Sequence, residues 1–145
     1  MSSTCLAALL AALVSLPAAA ETPQAEEASP KGQVVFYRTP GWVGSAVSHV
    51  VMVNGKRAAK LRSKHYTTLS LTPGEYTLCI FGDHLCLDTF EVKAGETYYI
   101  RDTSDHAYAG SGTHEFSIYL HHVDAAEGQQ QAAGLKWVEP EADFK

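Results

Sequence analysis

Short runs of apolar and β-branched residues recur along the chain from about residue 33, and polar turn residues separate them. Successive runs begin roughly 8 to 12 residues apart, which is the spacing of strands in an antiparallel sandwich or barrel. The pattern predicts eight strands, at residues 33–38, 45–53, 56–61, 66–71, 76–81, 84–92, 97–101 and 115–122. We therefore expect an all-β protein, an antiparallel β-sandwich of the immunoglobulin-like or prealbumin-like kind.

Two local motifs predict particular elements. Asn54-Gly55 separates the second and third strands and favours a tight type I′ turn, because both residues tolerate positive φ. These strands should therefore form a hairpin. After the last strand, Asp124 and Glu127 have the spacing of a capping box, and Gly134 can end a helix. One short helix is expected over residues 124–133.

A different apolar pattern precedes the strands. Residues 6–16 are mostly Ala and Leu, and Pro17 and three alanines follow them. This pattern is typical of a secretory signal peptide cleaved after Ala20, and the stretch is too short to cross a bilayer. The predicted organisation is a signal peptide at 1–20, a flexible leader at 21–32, a single β-sandwich domain at 33–138 and an acidic tail at 139–145.

Export bears on the cysteines. Cys5 precedes the apolar stretch, whereas a lipid-accepting cysteine follows one, so a lipid anchor is not expected. A turn at residues 82–83 places Cys79 opposite Cys86, and an exported chain favours a disulfide between them. The same register sets Leu78 against Leu87 on the other face, and it makes the cysteines a widely spaced, hydrogen-bonded pair. Closing this short loop should stabilise the fold by about 2.5 kcal/mol.

The net charge of −5 belongs mostly to the chain ends. Between Lys31 and Trp137 the ten basic and ten acidic residues balance, which argues against a general nucleic-acid-binding protein. Five basic residues lie within the segment 56–64. Such basic residues are typical of an edge strand, where they discourage pairing with other chains. The alternative interpretation is that they bind an anionic partner.

Several motifs, taken in their order along the chain, resemble a known family. They are Phe36-Tyr37-Arg38, a Gly/Ser-containing loop at 41–45, Val53-Asn54-Gly55-Lys56, Leu71-Thr72-Pro73-Gly74-Glu75-Tyr76, and the run 92–101 that contains Ala94-Gly95-Glu96-Thr97. The series resembles the bacterial envelope family catalogued as domain of unknown function 2846, over about residues 33–133. The resemblance implies an antiparallel β-sandwich of secreted proteins or lipoproteins, with no established catalytic residues. Because this chain lacks a lipid-accepting cysteine, a periplasmic or secreted product is expected.

Two loops carry the candidate binding residues. Trp42 lies in the loop 39–44 after Arg38. The aromatic ring and the neighbouring cation of Arg38 either anchor a partner, or Trp42 covers the end of the sandwich. The second loop, 102–114, contains His106 and Tyr108.

The loop 102–114 also offers Asp102, Asp105, His106 and His114 as metal ligands, but in no recognised zinc spacing. The same segment contains Ser, His and Asp, the three residue types of a hydrolase triad, but it has no Gly-x-Ser-x-Gly motif. We expect no metal, no cofactor and no catalytic residue. The tyrosines at 37, 98, 99 and 119 are interpreted as strand residues, and only an aligned row would suggest a carbohydrate platform.

The leading hypothesis is a non-catalytic, exported binding or accessory module of the bacterial envelope, whose partner is an unidentified envelope protein or glycan. The mature chain should have no transmembrane segment and should bind no nucleic acid. A metal-dependent or hydrolytic enzyme using residues 102–114 is one alternative. An inhibitor or immunity-type protein that binds a secreted toxin or hydrolase through the Trp42 loop is another. Oligomeric state is not predicted.

Overall fold

The computed structural model describes residues 29–41, 45–81, 86–109 and 113–145, without the side chains of 88, 106–109 and 113–116. The predicted signal peptide, most of the leader, Trp42 and the predicted turn at 82–83 lie outside the described residues.

The described chain forms two packed β-sheets and one short helix. The strands are β1 Gly32–Arg38, β2 His49–Val53, β3 Lys56–Leu61, β4 His65–Leu71, β5 Gly74–Ile80, β6 Cys86–Val92, β7 Thr97–Ala109, β8 Thr113–Val123 and β9 Lys136–Trp137. The helix α1 spans Ala125–Ala132, and a 3₁₀ turn spans Ala142–Phe144. One sheet has the order β8-β7-β1-β4-β9 and the other has the order β3-β2-β5-β6. The predicted β-sandwich with a C-terminal helix is confirmed.

Most neighbouring strands are antiparallel, and two pairs are parallel. β1 pairs with β7, and β4 pairs with β9, in parallel. The Asn54-Gly55 hairpin between β2 and β3 is confirmed, and both of its turn residues have positive φ. The helix is also confirmed, because the Asp124 side chain accepts a hydrogen bond from the backbone N–H of Glu127. β9 was not predicted, since two residues carry no detectable period.

Alternation along β1 separates two apolar clusters. Val34 and Phe36 point between the sheets and are fully buried. Val35 and Tyr37 point to the other face of the five-stranded sheet, where α1 covers them. Gly128 allows this close approach, because a Cβ at that position would lie 2.3 Å from the Tyr99 side chain.

The C-terminal segment packs against the sandwich. Phe144 joins the inter-sheet core and is 7% exposed. The backbone N–H of Glu141 donates to the carbonyl of Ala58 in β3, and the Glu141 carboxylate pairs with Arg57. The acidic residues Glu139, Glu141 and Asp143 remain exposed.

The prediction of a loop at 102–114 is wrong. β7 continues to Ala109 and pairs with β8 from Thr113 onward, and residues 110–112 are outside the described residues. The Gly and Ser residues suggested a long loop, but pairing between β7 and β8 extends both strands to within three residues of each other.

The cysteine hairpin has the predicted register and a different spacing. Leu78 lies opposite Leu87, and Cys79 lies opposite Cys86 with the two sulfur atoms 2.08 Å apart, the distance of a disulfide. Their Cα atoms are 4.3 Å apart, which is the separation of a closely spaced, non-hydrogen-bonded pair. The prediction of a widely spaced pair is therefore wrong.

Candidate ligand-binding cleft

Three polar side chains replace the apolar core at one end of the inter-sheet layer. Arg38 ends β1, and Asp102 is its register partner in β7. His49 begins β2 in the opposite sheet. Arg38, His49 and Asp102 are 3%, 3% and 2% exposed, so we call these three residues the buried polar cluster. Each lies two positions from a core residue on its own strand, which is why all three point inward.

The Asp102 carboxylate joins the other two side chains. His49 donates from Nδ1 to Asp102 Oδ2 over 2.6 Å, because a carboxylate can only accept. The Arg38 Nε lies 3.4 Å from the same oxygen. Arg38 also donates from Nη1 to the carbonyl oxygens of Val47 at 2.7 Å and Leu61 at 3.3 Å. The guanidinium therefore links β1 to the segment before β2 and to the end of β3.

Burial dominates the electrostatics of this cluster. Desolvation lowers the pKa of Arg38 from its ordinary value, and the negative charge of Asp102 opposes that shift. The guanidinium remains charged, because its ordinary pKa lies far above neutral pH. Arg38 and Asp102 thus form a buried ion pair, an arrangement that costs much desolvation energy and gives little net stability.

Part of the hydrogen-bonding capacity of the cluster is unused. Among the described residues, Asp102 Oδ1 and His49 Nε2 are buried without a hydrogen-bond partner. The hydroxyl of Ser104, two positions further along β7, is also buried and unpaired within the described structure. An unpaired buried polar atom costs about 1 to 3 kcal/mol, so three together require a reason.

Asp102 and Ser104 also line a polar cleft. One cavity of about 190 Å³ is lined by Arg38, Thr39, Pro40, Gly41, Ser63, Asp102, Thr103 and Ser104. A neighbouring cavity of about 360 Å³ is lined by Pro40, Gly41, Ser45, Ser63 and Lys64. Because the two share Pro40, Gly41 and Ser63, they form one continuous depression, which we call the cleft. Its volume is that of a site for a small molecule.

The structure places only some of the predicted site residues at the cleft. Arg38 lines the cleft, as does Asp102. Trp42 lies outside the described residues, and His106 and Tyr108 are placed only as backbone positions of β7. Asp105 is exposed, three positions beyond Asp102 on a strand where odd and even residues face opposite sides.

The sequence interpretation missed His49 and the partnership of three strand ends. The signal was present in the alternation, because Arg38 follows Val34 and Phe36 at the inward-facing interval. His49 likewise precedes Val51 and Val53 in β2. A charged or polar residue at an inward-facing position of a strand is unusual, and it indicates a buried polar partner.

Other kinds of site are not assembled in the described part of the chain. No group of three or more His, Cys, Asp or Glu side chains among the described residues could hold a metal ion. The tyrosines at 37, 98, 99 and 119 do not form one row, since Tyr98 packs on the inter-sheet core and Tyr37 and Tyr99 pack beneath α1.

The fold and the cleft together define a small, disulfide-linked β-sandwich with a polar cleft at one end of its two sheets. Residues 28–113 match the family described as "Protein of unknown function (DUF2846)", which covers more than half of the chain. The chain belongs to this family, and the resemblance drawn from the sequence motifs is confirmed. No curated protein and no solved structure shows significant similarity to the chain. No described helix has the length and apolar character needed to span a membrane.

Proposed function

We propose that this protein is an exported, non-catalytic module of the bacterial envelope that binds the hydroxyl groups of a saccharide in the cleft. Asp102 and Ser104 line the cleft, and the buried, unpaired Oδ1 of Asp102 and Oγ of Ser104 carry the proposal. A carboxylate oxygen accepts a hydrogen bond, and a serine hydroxyl both donates and accepts one. A neighbouring pair of sugar hydroxyls offers the matching donors and acceptors.

The charge of the cluster favours an uncharged ligand over a cation. Arg38 already balances the charge of Asp102, so the carboxylate does not present an isolated negative charge to the cleft. Lys64 at the outer rim adds positive charge and disfavours cations further. Hydroxyl groups satisfy the unpaired atoms without bringing a second desolvated charge into the site.

Export is supported by two separate features. The first twenty residues have the composition of a signal peptide, and Cys79 and Cys86 lie at disulfide distance. A disulfide persists in oxidising compartments such as the periplasm. Export can be tested directly. Cleavage after Ala20 would leave a mature chain that starts at Glu21, and mass spectrometry of the purified protein would detect that mass.

Binding is tested by thermal shift and by ligand-observed NMR with glucose, N-acetylglucosamine and its β-1,4-linked disaccharide, and with arginine as the cationic comparison. We expect at least one saccharide to raise the melting temperature of the wild type, and arginine to leave it unchanged. Ser104→Ala should remove the response. Because the Ser104 hydroxyl has no partner in the described structure, its removal should leave the free energy of unfolding unchanged or slightly raise it.

Ser117→Ala is the matched control. Ser117 is half-buried on the neighbouring strand, opposite Asp105 in the register and away from the cleft. This variant should bind saccharide as the wild type does. If Ser104→Ala and Ser117→Ala respond equally to every saccharide, the cleft is not the binding site.

A hydrolytic enzyme is the second candidate, and the pair formed by His49 and Asp102 favours it. Donation from Nδ1 to the carboxylate leaves Nε2 as the basic nitrogen, the arrangement found in hydrolase triads. Hydrolysis of p-nitrophenyl acetate by the wild type that disappears in His49→Gln would favour this candidate over simple binding. Equal background rates of hydrolysis for both proteins would exclude a hydrolase that uses His49.

A further inference from the structure

A smaller cavity, which we call the basic cavity, lies where the chain crosses from β3 in one sheet to β4 in the other. It has a volume of about 180 Å³ and is lined by Ser48, Lys60, Arg62, His65 and Val138. None of these lining residues is acidic, and none of them lines the cleft. The basic cavity is therefore a separate site with a positive character.

The strand pattern explains why the basic side chains converge. Lys60 and Arg62 are two positions apart, and an extended chain directs such side chains to the same side. His49 pairs with Leu61 between β2 and β3, so the next position on each chain brings Ser48 opposite Arg62. The alternation thus gathers part of the basic segment 56–64 at one point.

The connection between β3 and β4 is fixed in a conformation that keeps this arrangement. Lys64 has a φ of 63°, which a residue other than glycine rarely adopts. Its N–H donates to the carbonyl of Arg38 over 3.1 Å, and its carbonyl accepts from the N–H of Lys136 over 2.9 Å. As a result, Arg62 and His65 line the basic cavity, whereas Lys64 lines the cleft.

The positive charge of the basic cavity is not neutralised within the described structure. No described carboxylate forms an ion pair with Lys60 or Arg62, and both residues are exposed. Glu139 and Glu141, the glutamates of the C-terminal segment, pair with other cations. Two like charges without a counter-charge repel each other, so a bound anion would stabilise them.

Protection of an edge strand does not account for these residues. The C-terminal segment already lies along β3, where the backbone N–H of Glu141 donates to the carbonyl of Ala58 over 2.8 Å. Protection also requires only that charges be exposed, and it does not require that they line a common cavity. The structure thus favours the alternative interpretation of the basic segment, an anionic partner.

His65 adds a hydrogen-bonding group of defined orientation. Its Nδ1 lies 2.8 Å from the carbonyl oxygen of Ser63. A carbonyl oxygen only accepts, so Nδ1 carries the hydrogen. Nε2 is then the second polar atom of the ring, and it accepts a hydrogen bond when the imidazole is neutral and donates one when it is protonated.

We propose that the basic cavity binds a phosphate group. Arg62 can donate two hydrogen bonds in a fork to phosphate oxygens, Lys60 supplies a point charge, and the hydroxyl of Ser48 donates another hydrogen bond. A phosphate oxygen accepts from a protonated His65, and a P–OH group donates to a neutral one. The volume is below the roughly 300 Å³ of sites for drug-sized ligands, so it suits a single anionic group.

Calorimetry with inorganic phosphate at physiological salt concentration tests the proposal. The wild type should bind one phosphate per chain. Lys60→Gln/Arg62→Gln should weaken this binding by about tenfold or more, since hydrogen bonds to charged groups are lost. Lys56→Gln/Arg57→Gln is the matched control, because it removes two positive charges from the same segment but not from the lining of the cavity. It should bind phosphate as the wild type does.

Nuclear magnetic resonance of the wild type tests the location without any substitution. Titration with phosphate should shift the backbone amide signals of Ser48, Arg62 and His65 and leave that of Lys56 unchanged. Shifts spread evenly over all basic residues would contradict a specific site. Ser104→Ala should bind phosphate as the wild type does, so this proposal and saccharide binding in the cleft can fail separately.

Two further probes distinguish the sources of the phosphate group. Binding of glycerol 3-phosphate at least as tightly as inorganic phosphate would indicate a soluble phosphate ester. Sedimentation with vesicles of phosphatidylglycerol and phosphatidylcholine, lost in Lys60→Gln/Arg62→Gln and retained in Lys56→Gln/Arg57→Gln, would indicate a lipid headgroup. The proposal is wrong if the wild type binds none of these probes, or if both double variants weaken binding equally.

Discussion

The two ends of the inter-sheet layer are built from the same strands and have opposite chemistry. Toward the start of β1 the layer is apolar, and Val34, Phe36, Leu69 and Ile100 are fully buried there. At the other end the alternation continues with the buried polar cluster around Asp102. Apolar burial stabilises the fold directly, whereas a buried ion pair with unused hydrogen-bonding atoms does not. By this comparison, the apolar end contributes most of the stability of the layer and the polar end contributes little.

The loss of one member of the buried polar cluster should have the largest effect on the free energy of unfolding. Asp102→Ala leaves the Arg38 guanidinium buried without its counter-charge and should lower the free energy of unfolding by about 3 kcal/mol. Arg38→Met/His49→Leu/Asp102→Leu removes all three side chains of the buried polar cluster and should recover most of that loss, because no charge then remains to be desolvated. Urea unfolding followed by circular dichroism measures both.

Phe36→Ala at the apolar end is the control. It should lower the free energy of unfolding by about 4 kcal/mol, because it opens a cavity between the sheets. If the triple variant is less stable than Asp102→Ala, the polar end contributes to stability after all, and the contrast between the ends does not hold.

The disulfide gives the next largest effect. Cys79 and Cys86 lie in the four-stranded sheet at the polar end, since Ile80 pairs with Val51, two residues from His49. The double variant Cys79→Ser/Cys86→Ser should lose about 2.5 kcal/mol of unfolding free energy, on the chain-entropy account of a short closed loop.

Reduction of the wild type should give the same loss, and a reductant should not change the double variant further. An unchanged urea midpoint for the wild type under reducing, denaturing conditions would contradict a stabilising bond.

The smallest effect concerns the outer face of the sheet and depends on pH. Tyr37 donates its hydroxyl to Gln131 Oε1 over 2.8 Å. Burial raises the pKa of Tyr37 above its ordinary value, and the nearby positive charge of Arg101 opposes that shift. Because the folded pKa exceeds the unfolded value of about 10, the folded state binds more protons, and this contribution is lost as the pH rises past that value.

Tyr37→Phe should therefore cost about 1 kcal/mol at pH 8, through the lost hydrogen bond. The difference in unfolding free energy between wild type and variant should shrink as the pH rises above about 10. Urea midpoints of both proteins measured from pH 8 to 11 check this, and a constant difference over the whole range would contradict it.

Local motifs made much of the fold predictable. Asn54-Gly55 specifies its own hairpin, and Asp124 caps its own helix, because these effects act between residues close in sequence. The pairing of Cys79 with Cys86 was predicted from an assumed short turn combined with the alternation of apolar residues. The length of β7 was not predictable in this way, because Gly and Ser near residue 110 suggested a long loop and β pairing with β8 decided otherwise.

The sequence by itself determined the class of fold, the family and the cysteine pair, since periodicity, turn chemistry and motif order are written along the chain. Only the tertiary structure decided that Arg38, His49 and Asp102 meet. They come from three strands of two different sheets, and neither the parallel pairing of β1 with β7 nor the packing of β2 across the layer is encoded in any short segment. The cleft exists because long-range packing brings these strand ends together, and such contacts depend on the whole chain being folded.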